Sequence, residues 1–325
     1  MPVSEIKIGS LKLSGNIFLA PMAGIANLPF RLIAKRFGAT LVFSELSSSE
    51  ALIRDGKKTF DILRTAPEEK PIIFQIFGSN PDSVAEAARI VQELKPDGID
   101  INMGCAVRKV IKSGSGVALM KDPEKIKEIL KKVRKAVSLP LTIKIRSGWN
   151  SKNINALEIA LIAEDEGVDA ITIHPRTKEQ MFSDRSDWSL IRKIKQKIKI
   201  PVIGNGDINT CLDARRMFEE TGCDAAMVGR GSMGRPWIFR EIREYLDSGK
   251  IPDEPLKTEI EKTIIDHFNL SIEFLGQRRG TDLIKKHIAW YTKGFQDSCQ
   301  LRKKIYLMNR KEEILSAIKV FFSYI

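Results

Sequence analysis

The sequence predicts a (β/α)8 barrel, a TIM barrel of the α/β class, carrying a C-terminal all-helical domain. Three observations lead there. Eight short apolar runs recur across roughly 230 residues, close to the ~250 typical of that architecture. Most are separated by stretches of helical spacing, as in parallel βα units whose sheet is covered on both faces. Past residue 250 the apolar runs stop and only helical periodicity continues.

Ahead of the barrel, Ile6-Lys7-Ile8 and Leu11-Lys12-Leu13 alternate around Gly9-Ser10 and predict a hairpin. The first barrel strand is placed at 17–20 and is followed by a helix over 29–37. Further strands are placed at 40–43, 71–77 and 98–101, the last running into Asn102. The helix after the third strand carries Ala85, Ala88, Val91 and Leu94 on one stripe. A helix over 122–137 leads to the fifth strand at 140–146. Another over 156–166, stopped by Gly167, leads to the sixth at 169–174. The seventh and eighth fall at 200–204 and 224–229. A doubly wound open sheet competes, but eight evenly spaced strands suit a closed barrel better.

The Pro, Gly and acidic residues of 247–255 read as a linker. They divide a barrel domain, 1–250, from a helical domain, 251–325. In the latter Ile260, Ile264, His267 and Phe268, then Leu283, Ile284, Ile288 and Tyr291, recur with the spacing of a small bundle.

Composition narrows the function. Hydrophobic residues make up 43% and charged residues 29%, enough for a full core, while the net charge of +12 favours a polyanionic partner. The excess is concentrated: from Arg278 to Lys311 there are ten basic residues against two acidic, interleaved with Trp290, Tyr291 and Phe295. That pattern favours nucleic acid over a merely solvated helix face. No apolar run approaches the ~20 residues of a membrane span, and no signal-peptide pattern opens the chain, so a cytoplasmic protein is expected. Four cysteines without CxxC spacing and only three histidines predict neither disulfides nor a metal site.

In a barrel the chemistry collects where the strands end. Those positions hold Pro21-Met22-Ala23, Gln75, Asn102 with Cys105, Lys144 with Arg146, and His174 with Arg176. A lysine inside an apolar strand requires a partner, which implies an anionic or electron-rich cofactor. Gly204-Asn205-Gly206-Asp207 and Gly229-Arg230-Gly231 close the seventh and eighth strands, the usual phosphate position of the fold. Either cluster alone is equally a tight turn. His174 has an alternative as a hydrogen-bonded core histidine. Cys105 precedes a loop, 106–116, in which no regular pattern is read. It is either a reactive thiol beside Arg108 and Lys109 or a small apolar residue in a turn.

Several segments together carry a resemblance. They are Ala20-Pro21-Met22-Ala23-Gly24, Asp100-Ile101-Asn102-Met103-Gly104-Cys105, Thr142 to Trp149, Ile173-His174 with Arg176-Thr177, and Gly204 to Ile208. Gly229-Arg230-Gly231-Ser232-Met233-Gly234-Arg235-Pro236-Trp237 and Lys286-His287-Ile288 with Trp290-Tyr291 complete the set. Over nearly its whole length the chain resembles the tRNA-dihydrouridine synthases, and is most similar to their bacterial B-type branch. The resemblance implies an oxidoreductase with tightly bound FMN that uses NADPH to reduce the C5–C6 bond of particular tRNA uridines. Hydride would pass from the flavin to C6, and Cys105 would give the proton to C5. Pro21, Met22, Ala23, Gln75, Lys144 and His174 would then meet the flavin ring, and Asn205, Gly206, Asp207, Gly229 and Arg230 its phosphate end. Asn102, Lys109 and Arg176, with His174, would shape the uracil pocket. Arg278, Arg279, Lys285, Lys286 and His287 would hold tRNA.

A proton donor must keep its proton, so Arg108 and Lys109 are better read as contacts for RNA or uracil than as groups that depress a thiol. The chain departs from the family at Ala106, where proline is usual, and at Pro175, where glycine is. It departs also at Asn27 for aspartate and Leu46 for methionine. Two rivals share parts of the pattern. A flavin barrel for a free small molecule would not need the basic tail, and an RNA chaperone would hold no flavin.

Overall fold

The computed structural model describes residues 4–324. Strands β1 (Ile6–Ile8) and β2 (Leu11–Leu13) form the expected antiparallel hairpin, with Ile6 opposite Leu13. Ile6, Ile8 and Leu13 are buried in one cluster with Phe18, Ile73, Ala170, Ile203 and Ala225. The hairpin thus plugs the barrel where its strands begin.

The barrel strands are β3 (Ile17–Leu19), β4 (Val42–Phe43), β5 (Ser47–Ser48), β6 (Ile72–Phe77), β7 (Gly98–Met103), β8 (Leu141–Arg146), β9 (Ala170–His174), β10 (Val202–Asn205) and β11 (Ala225–Val228). They follow the order β3-β11-β10-β9-β8-β7-β6-β4, all parallel, and a Phe18–Leu41 bridge returns β4 to β3. The ring therefore closes. The strand expected at 40–43 proves short and is supplemented by β5, which pairs with the far end of β6. Ser44 explains the break: its Oγ, rather than a backbone carbonyl, accepts the Gln75 amide at 2.9 Å.

Outside the ring lie α1 (Leu28–Arg36), α2 (Ser49–Ile53), α3 (Lys57–Ile62), α4 (Pro81–Gln92), α5 (Arg108–Lys112), α6 (Pro123–Ala136), α7 (Ala156–Asp165), α8 (Trp188–Lys195), α9 (Cys211–Thr221) and α10 (Ile238–Ser248). Asn27, Asn80 and Asp122 cap α1, α4 and α6 through their side chains, each with proline in the first turn. Asn27 accepts the Phe30 amide at 3.1 Å, so asparagine does here the capping that aspartate would do.

Segment 106–116 departs from the expectation of an irregular loop. It contains α5 and leads into a 3-10 turn, Gly116–Lys121, because Val110 and Val117 are buried and anchor it. Nor do its glycines leave Cys105 free: Val117 donates to the Cys105 carbonyl at 3.1 Å. A Cβ on Gly116 would lie 2.6 Å from that same oxygen.

Residues 249–256 carry no regular structure and lead to α11 (Lys257–Leu275), α12 (Gln277–Tyr291), α13 (Ser298–Leu307) and α14 (Lys311–Tyr324). Ile264, Phe268, Ile284, Ile288, Ile305, Ile314 and Ile318 form their common core, which Trp237 joins from the barrel side. Glycine allows both close approaches: a Cβ on Gly280 would meet the Ser271 carbonyl oxygen at 2.4 Å, and one on Gly234 the Trp290 carbonyl carbon at 2.4 Å.

Here the structure corrects four expectations. His287 is 1% exposed, packed 5.2 Å from the Phe30 ring of α1 and 4.4 Å from His267, and does not reach the surface. Tyr291 is buried with its hydroxyl 3.1 Å from His267 Nδ1, Trp290 packs against His287, and Phe295 packs on Phe321 and Phe322. Tyr291 belongs to the bundle core, Phe295 packs against it and Trp290 is half-buried beside His287, packing that helical spacing alone does not distinguish from an RNA-stacking face. Among the described residues no helix is long and apolar enough to cross a membrane.

Burial, with Lys286 nearby, pushes His287 down to about 3, and burial beside His287 holds His267 well below its ordinary value. Both stay neutral in the folded chain but take up protons near pH 6.5 when unfolded. The unfolded state then binds more protons, so stability falls as pH drops below about 6.5 and levels only near the folded values. Urea midpoints measured at pH 7.5 and 5.5 should show this loss, and His287→Phe should reduce it.

Candidate active site

The C-terminal ends of the strands surround a cavity of about 440 Å³. Every residue expected to meet a cofactor lines it. Pro21, Met22 and Ala23 come from the β3–α1 loop, Gln75 from β6, Lys144 from β8 and His174 from β9. Asn205, Gly206 and Asp207 end β10, and Gly229 and Arg230 follow β11. Asn102 and Cys105 line it too. The period of two along each strand turns these side chains inward and their neighbours, such as Ile76, Ile101 and Ile143, toward the helices.

Lys144 Nζ donates to Asn205 Oδ1 at 2.7 Å, and Asn205 Nδ2 donates to the Met227 carbonyl at 2.7 Å. Desolvation first, then repulsion from Arg146, lowers Lys144 to about 7, with Asp100 opposing. A cation so placed favours an anion or an electron-rich ring beside it. Desolvation and the surrounding lysine and arginines likewise hold His174 far below its ordinary value, so it is a neutral ring.

Cys105 sits on a short turn. Its amide donates to Asn102 Oδ1 at 2.8 Å and the Gly104 amide to the same oxygen at 3.2 Å. Burial raises the thiol, against smaller lowering effects of the Val107 backbone and Arg146. It is a protonated sulfur at neutral pH, not a thiolate. Arg146, noted in the sequence without a role, braces the turn: it donates to the Gly104 carbonyl at 2.9 Å and to Thr177 and Met181 at 3.0 and 2.9 Å.

The two glycine clusters meet at one side of the cavity. Gly206 has φ 121 and Asp207 φ 57, and a Cβ on Gly231 would lie 2.2 Å from the Ile208 carbonyl oxygen. The β10 and β11 loops are thus in backbone contact, which only glycine at 231 permits. Burial works to raise the Asp207 carboxyl, but the Ser186 amide and the Arg176 guanidinium outweigh it and hold it low.

Other expected residues lie apart. Arg176 is 2% exposed and does not line the cavity; it grips Asp207 at 2.8 Å and the Ser183 carbonyl at 3.1 Å from behind. Lys109 is exposed on α5 and also outside the lining. Arg278 and Arg279 line a second cavity of about 640 Å³ with Gly24, Asn27 and Glu45 of the barrel. Lys285 contacts Tyr306 and Asn309, while Lys286 is exposed. Phe182 was not foreseen: half-exposed at the rim, its ring lies 4.5 Å from the Arg230 guanidinium. An isolated Met-Phe pair in a polar loop carries no sequence signal for that position. Among the described residues no group of three or more histidine, cysteine, aspartate or glutamate side chains is arranged to hold a metal.

Solved structures with this barrel include 2-naphthoyl-CoA reductase, at TM-score 0.61 and 15% identity over 75% of this chain and 53% of that one. An old yellow enzyme homologue from Zymomonas mobilis aligns at TM-score 0.52 and 14% identity, over 79% and 95%. These likenesses speak to the fold. Sequence relatives are much nearer. tRNA-dihydrouridine synthase B of Escherichia coli K12 is 41% identical over 98% of this chain and 99% of its own. The Pasteurella multocida enzyme of that name is 40% identical over 98% and 96%. A probable tRNA-dihydrouridine synthase of Rickettsia conorii is 39% identical over the same shares. The model of the family described as dihydrouridine synthase matches residues 18–323. With that match spanning both barrel and helical tail, the chain belongs to the dihydrouridine synthase family.

Proposed function

We propose that this chain is an FMN-dependent tRNA-dihydrouridine synthase of the cytoplasm, reducing uridine to 5,6-dihydrouridine with NADPH as electron donor. One observation carries the reading. A protonated thiol, Cys105, borders the same cavity as a desolvated lysine and two interlocked glycine loops. The residues fit FMN: Lys144 contacts no carboxylate, its partner being the neutral Asn205, and glycine at 206 and 231 lets the β10 and β11 loops pack together with their backbone along the cavity. Pro21, Met22, Ala23 and Gln75 would flank the ring, and Asn205, Asp207 and Arg230 the phosphate end. Bound there, FMN would supply hydride chemistry, with NADPH as the reductant and C6 of the uracil ring as the acceptor.

The protein's part is proton delivery and exclusion of water. Charge developing on the uracil carbonyl as C6 is reduced is quenched when Cys105 Sγ gives its proton to C5. Asn102 and His174, at the same mouth, would orient the base. That base must leave its stack to enter. Residues 1–250 are the catalytic unit, and residues 251–325 hold the tRNA backbone. Arg278 and Arg279 stand beside the first barrel loop, and Lys285 and Lys286 lie further along α12. Binding through these residues would weaken steeply with salt.

Anaerobically, NADPH should bleach the yellow protein and unmodified tRNA should restore the colour; recolouring by free uridine alone, with none by tRNA, would rule the assignment out. Gly231→Ala forces the β10 and β11 loops apart, a strain of about 1–3 kcal/mol. It should shed FMN on desalting while its circular dichroism stays that of the parent.

A further inference from the structure

Below the cavity floor the barrel interior holds a carboxylate with no cation in contact. Asp100 is 0% exposed on β7, one inward position before Asn102. Its two oxygens take different donors: Thr142 Oγ1 at 2.6 Å and Gln75 Nε2 at 2.7 Å. Gln75 then accepts Asn102 Nδ2 on its Oε1 at 2.9 Å. Asn102, so turned, offers its Oδ1 to the amides of Gly104 and Cys105 at 3.2 and 2.8 Å. Four side chains on three neighbouring strands, β6, β7 and β8, and the turn beyond β7 form one line of hydrogen bonds ending at the thiol's own backbone.

We infer that Asp100 is a positioning residue that anchors the floor end of this relay and thereby holds the Cys105 turn for proton delivery. The inference rests on the function proposed above. Burial raises the Asp100 carboxyl, with Thr142, Gln75 and Lys144 opposing. With or without a proton on the oxygen facing Thr142, the oxygen facing Gln75 accepts, so Gln75 presents its NH2 group downward and its carbonyl upward. That carbonyl can be met only by the NH2 group of Asn102, leaving the Asn102 carbonyl for the turn. Reversing Asn102 would set donor against donor at Gly104 and Cys105, and reversing Gln75 would do so at Asn102 while turning its carbonyl onto the Asp100 carboxyl. The relay is held at both ends, by donor-only backbone amides at the turn and by Asp100 at the floor, so without Asp100 the Gln75 NH2 group loses its acceptor and Gln75 its anchor. Thr142 adds to this by filling the second oxygen, so Asp100 has no acceptor left unmet on that side. The Thr142–Asp100–Gln75–Asn102 part of the relay is buried, where an unmatched polar contact is most destabilising.

The test compares Asp100→Leu, which matches the volume but accepts nothing, with Asp100→Asn, whose Oδ1 still accepts from Gln75 while its Nδ2 donates to Thr142. In Asp100→Leu, kcat for tRNA reduction per bound FMN should fall roughly 100-fold, the scale of a misplaced reacting group, with KM for tRNA within about twofold. Asp100→Asn should recover to within about fivefold of the parent. Asp100→Ala carries the same expectation as leucine should leucine not be accommodated. A kcat near that of the parent in the leucine or alanine variant overturns the inference. So does an asparagine variant as impaired as leucine, which would make the charge and not the direction of bonding matter. A parent protein that is yellow and reducible by NADPH yet leaves tRNA unmodified would instead refute the function proposed above.

Discussion

Cys105→Ala is expected to keep its flavin and its affinity for tRNA and to lose turnover by roughly 100- to 10,000-fold, the range that a positioned acid contributes. The reasoning is local. Cys105 borders the cavity without supplying any of its phosphate-side loops, so its removal leaves the FMN cradle intact. Its backbone makes the hydrogen bonds to Asn102 and Val117 that hold the turn, and its sulfur adds only a contact with the Val107 backbone. Alanine therefore deletes the proton and little else. Serine at 105 tests acidity separately, because a hydroxyl is a far weaker acid than a thiol in the same place. Stopped-flow reoxidation of the NADPH-reduced protein by tRNA reads the loss directly, and the reductive step with NADPH should be unchanged. Near-normal dihydrouridine formation by the alanine variant would exclude Cys105 as the donor.

Arg31→Met should destabilise the fold by about 3–5 kcal/mol, the usual penalty for stranding one member of a buried ion pair. Arg31 and Glu69 are both fully buried and joined at 2.6 Å. The guanidinium also donates to the Ala26 carbonyl at 3.0 Å and the Arg64 carbonyl at 2.9 Å, while Glu69 accepts the Ala66 amide at 3.2 Å. One arginine thus ties α1, the loop before it and the segment before β6 together. That loop carries Met22 and Ala23 of the cavity wall, so flavin retention should weaken alongside stability. Urea unfolding gives the first effect and desalting the second. The double variant Arg31→Met/Glu69→Leu should regain much of the stability, because no charge is then left unpaired.

The barrel was legible because its determinants are local and repetitive. Apolar runs mark strands, glycine and proline mark turns, and the rule that strand ends carry the chemistry converts a list of runs into a cavity. Lys144 is the clearest case: its place in an apolar strand pointed to desolvation, which the structure shows with Asn205 as its hydrogen-bond acceptor. The Arg31–Glu69 pair was not legible, since two charges 38 positions apart show no sign of burial in sequence. Nor was α5, whose five residues are held by the burial of Val110 rather than by propensity. In the tail, basic residues and aromatics share a helical period. Only packing shows that Arg278, Arg279 and Lys286 face outward while His287 and Tyr291 face the core. Charge counted along the chain therefore marks side chains that are exposed, while Tyr291 and His287 among them belong to the packing.

The central claim is that this cavity reduces uridine within tRNA. Its most direct test is mass spectrometry of nucleosides from unmodified tRNA incubated with the purified protein and NADPH. The account predicts dihydrouridine, two hydrogens heavier than uridine, in tRNA treated with the parent protein and almost none with Cys105→Ala. Uridine left unchanged by a parent protein that is flavin-loaded and reducible by NADPH would contradict it.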